Sequence, residues 1–336
     1  MADFYLSPLR GITDKIFRAA YGRRFGRFDY TVAPFVPAVL GNRVKDHHIR
    51  DLLPDGGGID GRLIPQIIGR DPDGFLLLSR RFADLGFTSV NWNLGCPAPL
   101  VAKKKRGCGL LPHKDVIKRF LDETVPELPL PLSIKARLGY ESPNDLEALI
   151  PLFNDYPIKE LMIHPRTGIQ LYGGTVDIDR FETCLNLSKH TVVYNGDIVS
   201  VNTFKLLADR FPRVDKWMIG RGIVMNPFLL GELRRYADKA ASAKLSVPSV
   251  PTESSVSIVS TKYDRSQIID FLNDLIDACK DHPYPIKVLG RMKEIWRYLG
   301  NGVNGIDVWE DLSQKVIRCQ SLQEYQRFID TVDIKY

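Results

Sequence analysis

The chain of 336 residues is long enough for one large α/β domain with an appendage, and its 44% hydrophobic and 26% charged residues are typical of a folded globular protein. This composition excludes a disordered or fibrous chain, and no apolar run approaches the roughly 18 residues that cross a bilayer. The net charge of +6 permits a polyanionic partner without requiring one. The first residues carry no basic-then-apolar secretion signal, so we expect a cytoplasmic protein without membrane contact.

Residues 1–222 alternate short β-branched or aromatic runs with amphipathic helical stretches. Eight such units over about 235 residues fit a (β/α)8 TIM barrel, which typically takes about 250. A doubly wound sheet is the alternative, but the first strand-to-helix turn at residues 7–11 lacks a GxGxxG phosphate loop. The predicted strands are residues 4–9, 30–35, 63–68, 89–94, 132–138, 160–164, 191–195 and 216–219.

The remaining chain differs in composition. Residues 240–263 are rich in Ser, Val and Pro and lack helical periodicity, which predicts a linker or long loop. From residue 264 to 336 the apolar spacing is helical and predicts an appended all-α bundle. We therefore expect three parts, namely a catalytic barrel at 1–239, the linker, and the helical domain.

Active sites of TIM barrels lie at the C-terminal ends of the strands, where this sequence concentrates polar residues. Two glycine turns follow the last two strands, where such barrels often bind phosphate, although tight turns alone would also explain the glycines. The predicted strand ends carry Ser7, Pro8, Leu9, Gln66, Asn93, Cys96, Lys135, Arg137, His164, Arg166, Asn195, Gly196, Asp197, Gly220 and Arg221.

Two of these side chains suggest redox chemistry. An inward Lys135 suits the electron-rich edge of a flavin ring, where it would stabilise negative charge. Cys96 follows a strand directly, and a thiol with a pKa near 8.5 is mostly protonated at neutral pH and suits proton donation. An inert buried cysteine and a hydrogen-bonded turn histidine at His164 are the alternatives. No cysteine pair has the CxxC spacing of a zinc site, so no metal is expected.

A series of motifs resembles the dihydrouridine synthases that act on tRNA. In chain order they are LSPLRGITDKIFR, PQIIG, NWNLGCPAP with GCGLL, SIKARLG, HPRTGIQLYGG, YNGDI and MIGRG. The resemblance implies a barrel that binds FMN, is reduced by NADPH, and passes hydride to C6 of a tRNA uridine while Cys96 protonates C5. It also implies that the flavin contacts Ser7, Pro8, Leu9, Gln66, Lys135, His164, Asn195, Gly196, Asp197, Gly220 and Arg221, and that Asn93, Arg137 and Arg166 lie near the uracil.

This sequence departs from the family pattern in three places. The first motif begins Ser7-Pro8-Leu9 where Ala-Pro-Met is usual, and Cys108 occupies a position that is usually small and neutral. The loop at residues 103–106 is unusually basic. It is either a solvated loop or a phosphate contact beside the site.

The segment 287–299 places its cations on one helical face and its apolar residues on the other. We predict that Lys287, Arg291 and Arg297 bind the RNA backbone, with Arg23, Arg24 and Arg27 extending the basic track. Two other functions stay open, a barrel oxidoreductase acting on a free pyrimidine, as dihydroorotate dehydrogenases do, and an RNA-binding barrel without activity. A monomer is expected.

Overall fold

The computed structural model describes residues 2–38, 43–54, 60–245, 266–280, 283–300 and 307–332. The strands within these ranges are β1 (Asp3–Leu6), β2 (Tyr30–Val32), β3 (Val36–Pro37), β4 (Leu63–Ile64), β5 (Gln66–Ile68), β6 (Val90–Leu94), β7 (Leu132–Gly139), β8 (Ile158–Thr167), β9 (Thr191–Tyr194) and β10 (Lys216–Ile219). The α-helices are α1 (Lys15–Phe25), α2 (Pro72–Asp84), α3 (Pro99–Ala102), α4 (Lys114–Thr124), α5 (Asp145–Phe153), α6 (Ile178–Leu187), α7 (Val201–Arg210), α8 (Arg221–Met225), α9 (Leu229–Leu245), α10 (Ser266–Asp277), α11 (Pro285–Gly300), α12 (Asp307–Arg318) and α13 (Leu322–Thr331). In the same ranges, three short 3₁₀ helices cover Asp46–His48, Gly107–Leu110 and Val125–Glu127.

The strands form one parallel sheet in the order β3-β5-β6-β7-β8-β9-β10-β1-β2-β4. The second and third predicted strands are each divided in two, because Pro34 and Pro65 have no N–H group to donate to the ladder. β2 pairs with β4 and β3 pairs with β5, so the two edges of the sheet belong to the same pair of interrupted strands. The sheet therefore closes, and the eight-unit barrel is confirmed.

Side chains from several strands fill the barrel interior. The inner cluster consists of Tyr5, Val32, Ile64, Met162, Val193 and Met218. Nearer the N-terminal ends of the strands, the buried Glu160 carboxylate accepts hydrogen bonds from the Tyr5 hydroxyl at 3.0 Å and the Lys216 ammonium at 2.6 Å. A buried carboxylate is stable only when paired, and these two hydrogen bonds satisfy Glu160 within the barrel.

The boundary predicted at residue 240 is wrong, since α9 continues to Leu245. The stretch from residue 239 to 245 contains Ala, Lys and Leu, which are among the strongest helix formers, and only one Ser. The rest of the predicted linker, residues 246–263, lies outside the described residues.

Helices α10–α13 form the appended bundle, which packs on the barrel through α1 and α8. The Phe271 ring on α10 meets Phe17 and Phe25 on α1 edge-on, at centroid distances of 5.4 and 5.5 Å. Beside these rings, Arg24 pairs with Asp270 at 2.9 Å and Asp274 at 3.0 Å. The expectation that Arg24 extends an RNA track is therefore wrong, because its guanidinium binds the bundle to the barrel.

Helix α11 is the longest helix of the bundle within the described residues, and its predicted apolar face is confirmed. The buried residues are Val288, Leu289, Met292, Ile295, Trp296 and Leu299. The Trp296 indole donates to the Tyr325 hydroxyl of α13 at 3.1 Å, which satisfies its buried N–H group. None of the described helices combines the length and apolar character needed to cross a membrane.

Candidate active site

A cavity of about 870 Å³, including the space at its mouth, opens at the C-terminal ends of the strands. Every predicted flavin-contacting residue lines it, and so do Cys96 and two of the three residues predicted near the uracil. Those lining residues are Ser7, Pro8, Leu9, Gln66, Asn93, Cys96, Lys135, Arg137, His164, Asn195, Gly196, Asp197, Gly220 and Arg221. No group of three or more His, Cys, Asp or Glu side chains in the described ranges is arranged to hold a metal ion.

Two glycine turns border one side of the cavity. A Cβ atom at Gly196 would lie 2.9 Å from Val176 Cγ1, and one at Gly220 would lie 3.4 Å from the Cβ atom of Ser7. The next residue, Asp197, has a φ of 44°, in the left-handed region that Asp tolerates better than most residues. A side chain at Gly196 would therefore press against the protein itself, which explains that glycine by packing. Both turns line the cavity, where glycine backbone is available to an anionic ligand.

Positive charge surrounds the cavity. Among the described residues, Asp197 is the only acidic one that lines it. Its carboxylate accepts hydrogen bonds from Arg221 at 2.7 Å and from Arg166. The remaining charged lining residues are Arg10, Lys135 and Arg137. A cavity with more cations than acids favours an anionic ligand.

Lys135 is the most unusual of these cations. Its ammonium group is buried, and no acid among the described residues pairs with it. Burial, together with the smaller effect of the nearby Arg137, lowers its pKa to about 7. A buried ammonium with no anionic partner is costly, so Lys135 is suited to a ligand that brings negative charge.

His164 is neutral in this setting. Burial lowers the pKa of its imidazole well below the ordinary value, and four surrounding cations act in the same direction. Its Nε2 atom lies 3.1 Å from a guanidinium nitrogen of Arg166, which can only donate, so Nε2 accepts and the ring proton is on Nδ1. His164 therefore offers a hydrogen-bond donor and no charge.

Arg166 does not face the cavity, so its predicted contact with the uracil is wrong. All five guanidinium N–H groups are used within the protein, on His164, the two carboxylate oxygens of Asp197, and the carbonyls of Gly173 and Gly174. Arg166 is buried and has no donor left for a substrate. It instead holds together the loops after β8 and β9.

A chain of amide side chains connects the barrel wall to Cys96. The Gln66 Nε2 atom donates to Asn91 at 2.7 Å, and Gln66 Oε1 accepts from Asn93 Nδ2 at 2.7 Å. At the far end, Ser133 accepts from Asn91 at 2.8 Å. At the near end, Asn93 Oδ1 accepts the backbone N–H groups of Gly95 and Cys96 at 3.1 and 2.8 Å. Backbone N–H groups can only donate, so this end fixes the orientation of every amide in the chain.

Asn93 thus positions the Cys96 loop in addition to lining the cavity. We expect Asn93→Ala to leave two backbone N–H groups without a partner, at a cost of about 1–3 kcal/mol, and to loosen the loop. The rate at which iodoacetamide alkylates Cys96 should then rise. Asn154→Ala is the matched control, because Asn154 also bridges two backbone groups, at the C-terminal end of helix α5 and near the surface. Equal alkylation rates in both variants would contradict the positioning role.

Cys96 itself is partly buried and lines the cavity. Burial raises the pKa of its thiol, and this outweighs the opposing effect of nearby cations. Its carbonyl accepts a hydrogen bond from the Cys108 backbone N–H at 3.2 Å. Gly107 has a φ of 57°, and a Cβ atom there would lie 2.6 Å from the same carbonyl. The Gly107–Leu110 segment therefore supports the Cys96 loop from below, and the thiol stays protonated at neutral pH.

The predicted basic face of α11 is only partly correct. The Arg291 guanidinium donates to the Ile12 carbonyl at 2.9 Å and pairs with Asp14 at 2.6 Å, so its side chain is only 12% exposed. The prediction that Arg291 contacts RNA is therefore wrong, because the helix docks on the barrel along this edge. Lys287 and Arg297 are exposed, as expected.

Several lining residues lacked a sequence signal. Tyr172 lies between two cations, with its ring centroid 5.3 Å from the Arg137 guanidinium and 5.1 Å from that of Arg221. Arg10 lies over the Phe35 ring at 5.5 Å on another side of the mouth. Loop residues of this kind have no periodic pattern, and their place at the mouth depends on how the loops fold.

Comparison with known proteins agrees with this architecture. The model of the dihydrouridine synthase (Dus) family matches residues 5–279. The tRNA-dihydrouridine synthase B of Yersinia pestis is 31% identical over 235 residues, which cover 69% of this chain and 71% of that protein. The protein of the same name from Escherichia coli strain K12 is 30% identical over 237 residues, with coverage of 69% and 71%. The structure of histamine dehydrogenase from Rhizobium sp. 4-9 aligns with a TM-score of 0.50 and 11% identity, over 70% of this chain and 46% of that one, a likeness of fold alone.

Proposed function

This chain belongs to the dihydrouridine synthase family of oxidoreductases, and we propose that it binds FMN and uses NADPH to reduce a uridine of tRNA to 5,6-dihydrouridine. One observation carries the proposal. A protonated thiol, Cys96, lines the cavity at the mouth of the barrel together with Lys135, a buried ammonium that no acid among the described residues pairs with. The first suits a proton donor and the second suits an electron-rich ring.

The lining residues fit FMN at both ends of that molecule. Arg221 and the glycine turns at residues 195–197 and 220–222 offer charge and backbone to the phosphate, at the place where TIM barrels often bind one. Lys135 would lie against the ring system and stabilise negative charge on its reduced form. Gln66 is fixed in orientation by its two amide neighbours, so it would present the same hydrogen-bonding groups to the ring in every turnover.

Reduction of the uracil C5–C6 bond needs a hydride on C6 and a proton on C5. When bound and reduced, FMN supplies hydride chemistry. The Cys96 thiol holds the proton, which burial keeps on sulfur at neutral pH, and transfers it to C5. Bulk solvent then returns a proton to the thiolate. Arg137 lines the same cavity, where its positive charge favours the uracil carbonyl oxygens.

A base stacked in RNA does not reach a cavity at the mouth of a barrel, so the target uridine must be extruded at a cost of a few kcal/mol. Contacts to the phosphate backbone offset that cost. We propose that the barrel carries the chemistry and that helices α10–α13 supply part of the backbone contact. The basic residues at 103–105 are exposed beside the Cys96 loop and would add to it.

The proposal is tested with purified protein. We expect a yellow protein with flavin absorbance that forms dihydrouridine in tRNA when NADPH is supplied, and that does not turn over free orotate. Turnover of orotate with none on tRNA would instead support a free-pyrimidine oxidoreductase. A colourless protein that binds tRNA would support a non-catalytic RNA-binding barrel.

The exposed cations of α11 give a separate prediction. We expect the double variant Lys287→Glu and Arg297→Glu to weaken tRNA binding and to reduce the slope of log affinity against log salt by about 1 to 2 units, because each lost phosphate contact removes about 0.9. Binding is measured by fluorescence anisotropy at several salt concentrations. Lys118→Glu, on barrel helix α4, serves as the control. An unchanged slope in the double variant would exclude α11 from the interface.

A further inference from the structure

The loop of residues 168–174 after β8, here called the rim loop, exposes apolar side chains beside the cavity. Ile169 is 60% exposed, and Leu171 and Tyr172 are each 47% exposed. Tyr172 lines the cavity, which places the rim loop at its mouth. Exposed apolar side chains clustered beside a binding cavity commonly mark a contact surface for a ligand or partner.

The rim loop is held by hydrogen bonds despite its exposure. The buried Arg166 guanidinium donates to the carbonyls of Gly173 and Gly174 at 3.1 and 2.8 Å. The Gln170 side chain accepts the Thr167 backbone N–H at 2.7 Å. A loop held at both ends in this way presents its side chains in a fixed direction, so little conformational entropy is lost when they bind.

Leu171 adopts a backbone conformation that leucine disfavours. Its φ is 51°, in the left-handed region where a Cβ atom crowds the backbone. Asn or Gly would adopt the same conformation more easily, so the leucine is not explained by the fold of the loop. Strained residues of this kind concentrate at functional sites, where the side chain is needed for another purpose.

The surroundings of the rim loop point to a nucleic acid as the partner. The guanidinium groups of Arg137 and Arg221 lie against the Tyr172 ring. Helix α11, which exposes the cations Lys287 and Arg297, packs against α8, the helix that begins at Arg221. Apolar side chains surrounded by cations match bases surrounded by phosphates.

We propose that Ile169 and Leu171 enter the RNA base stack at the position left by the extruded uridine, and so stabilise the extruded state. This inference rests on the proposed function, because it requires a uridine from a folded RNA to enter the cavity. Apolar side chains inserted between base steps are a general means of holding nucleic acids in unstacked conformations. The rim loop would then favour extrusion, while the cavity carries out the reduction.

The variant Leu171→Asn tests this inference without disturbing the fold, because Asn adopts left-handed backbone more easily than Leu. We expect its melting temperature to be unchanged or higher. The rate of dihydrouridine formation in folded tRNA should fall about 10-fold or more, since the inserted side chain offsets part of an extrusion cost of a few kcal/mol. Ile169→Ser should act in the same direction. Leu206→Asn on α7 is the control, because Leu206 is 62% exposed on a barrel helix and lies outside the cavity lining.

The same tRNA is then assayed without Mg²⁺, where its tertiary structure is loosened and extrusion costs less. We expect the deficit of Leu171→Asn to shrink in that buffer. An equal deficit in both buffers, or no deficit in either, would overturn the inference. Absence of dihydrouridine in the wild-type reaction would instead contradict the proposed function, so the two failures are distinguishable.

Discussion

Cys96→Ala is expected to lower the rate of uridine reduction by about 10²- to 10⁴-fold, the usual contribution of a positioned general acid. The variant should still bind flavin and stay yellow, because the cations and glycine turns proposed to hold the flavin are unchanged. The rate is measured as dihydrouridine formed per minute in tRNA, and flavin content by absorbance. Cys184→Ala is the control, because Cys184 is buried on α6 and does not line the cavity.

The pH dependence follows from the same thiol. Burial raises the pKa of Cys96 above its ordinary value, so the proton-donating form is fully present at neutral pH and is lost as the pH rises through the raised value. The wild-type rate should therefore be level near pH 7 and fall at alkaline pH. The residual rate of Cys96→Ala should lack this fall. Normal product yield from Cys96→Ala would contradict the role of Cys96 as proton donor.

Lys135→Met is expected to weaken flavin binding by at least about 10-fold, because a hydrogen bond to a charged group contributes about 1.5–3 kcal/mol. Flavin affinity is measured by titrating flavin-free protein with FMN and following the quenching of flavin fluorescence. Lys118→Met is the control, since Lys118 is exposed and paired with Asp122 on α4. Unchanged affinity in Lys135→Met would exclude a contact between this ammonium and the flavin.

The same variant should stabilise the flavin-free protein. Burial lowers the pKa of Lys135 to about 7 in the folded state, whereas the unfolded chain has the ordinary value near 10.4. The buried charge is therefore destabilising below pH 7, and stability is regained as the pH rises from 7 towards 10. We expect Lys135→Met to raise the free energy of unfolding by about 1–4 kcal/mol at pH 6, and by less at pH 9. Denaturant unfolding at both pH values measures the difference.

Much of the fold was predictable because its signals are local. Each barrel strand is a short apolar run, and the apolar face of α11 follows the helical period from Val288 to Leu299. Two features were not predictable in this way. Pro34 and Pro65 each divide a predicted strand in two, although the residues around them are typical of a strand. Helix α9 continues past residue 240, although the Ser and Pro residues that follow it indicated a linker.

A residue of the candidate site was predictable only where its position along a strand decides whether it reaches the cavity. Lys135 and His164 were expected at the mouth of the barrel, and the closed sheet brings them to one cavity. Arg166 and Arg291 were expected to contact substrate, but their partners come from distant segments, such as Asp197 and Asp14, that no local pattern relates to them. The sequence alone therefore does not establish whether an Arg or Lys in a motif contacts a ligand or another part of the protein.

The most direct test of the central claim is a map of dihydrouridine in RNA from cells with and without this protein, obtained by mass spectrometry. We predict that one or more tRNA uridines lose the modification when the protein is absent and regain it when the wild-type gene is restored. Identical dihydrouridine maps in the two cell lines, at every tRNA position, would contradict the account.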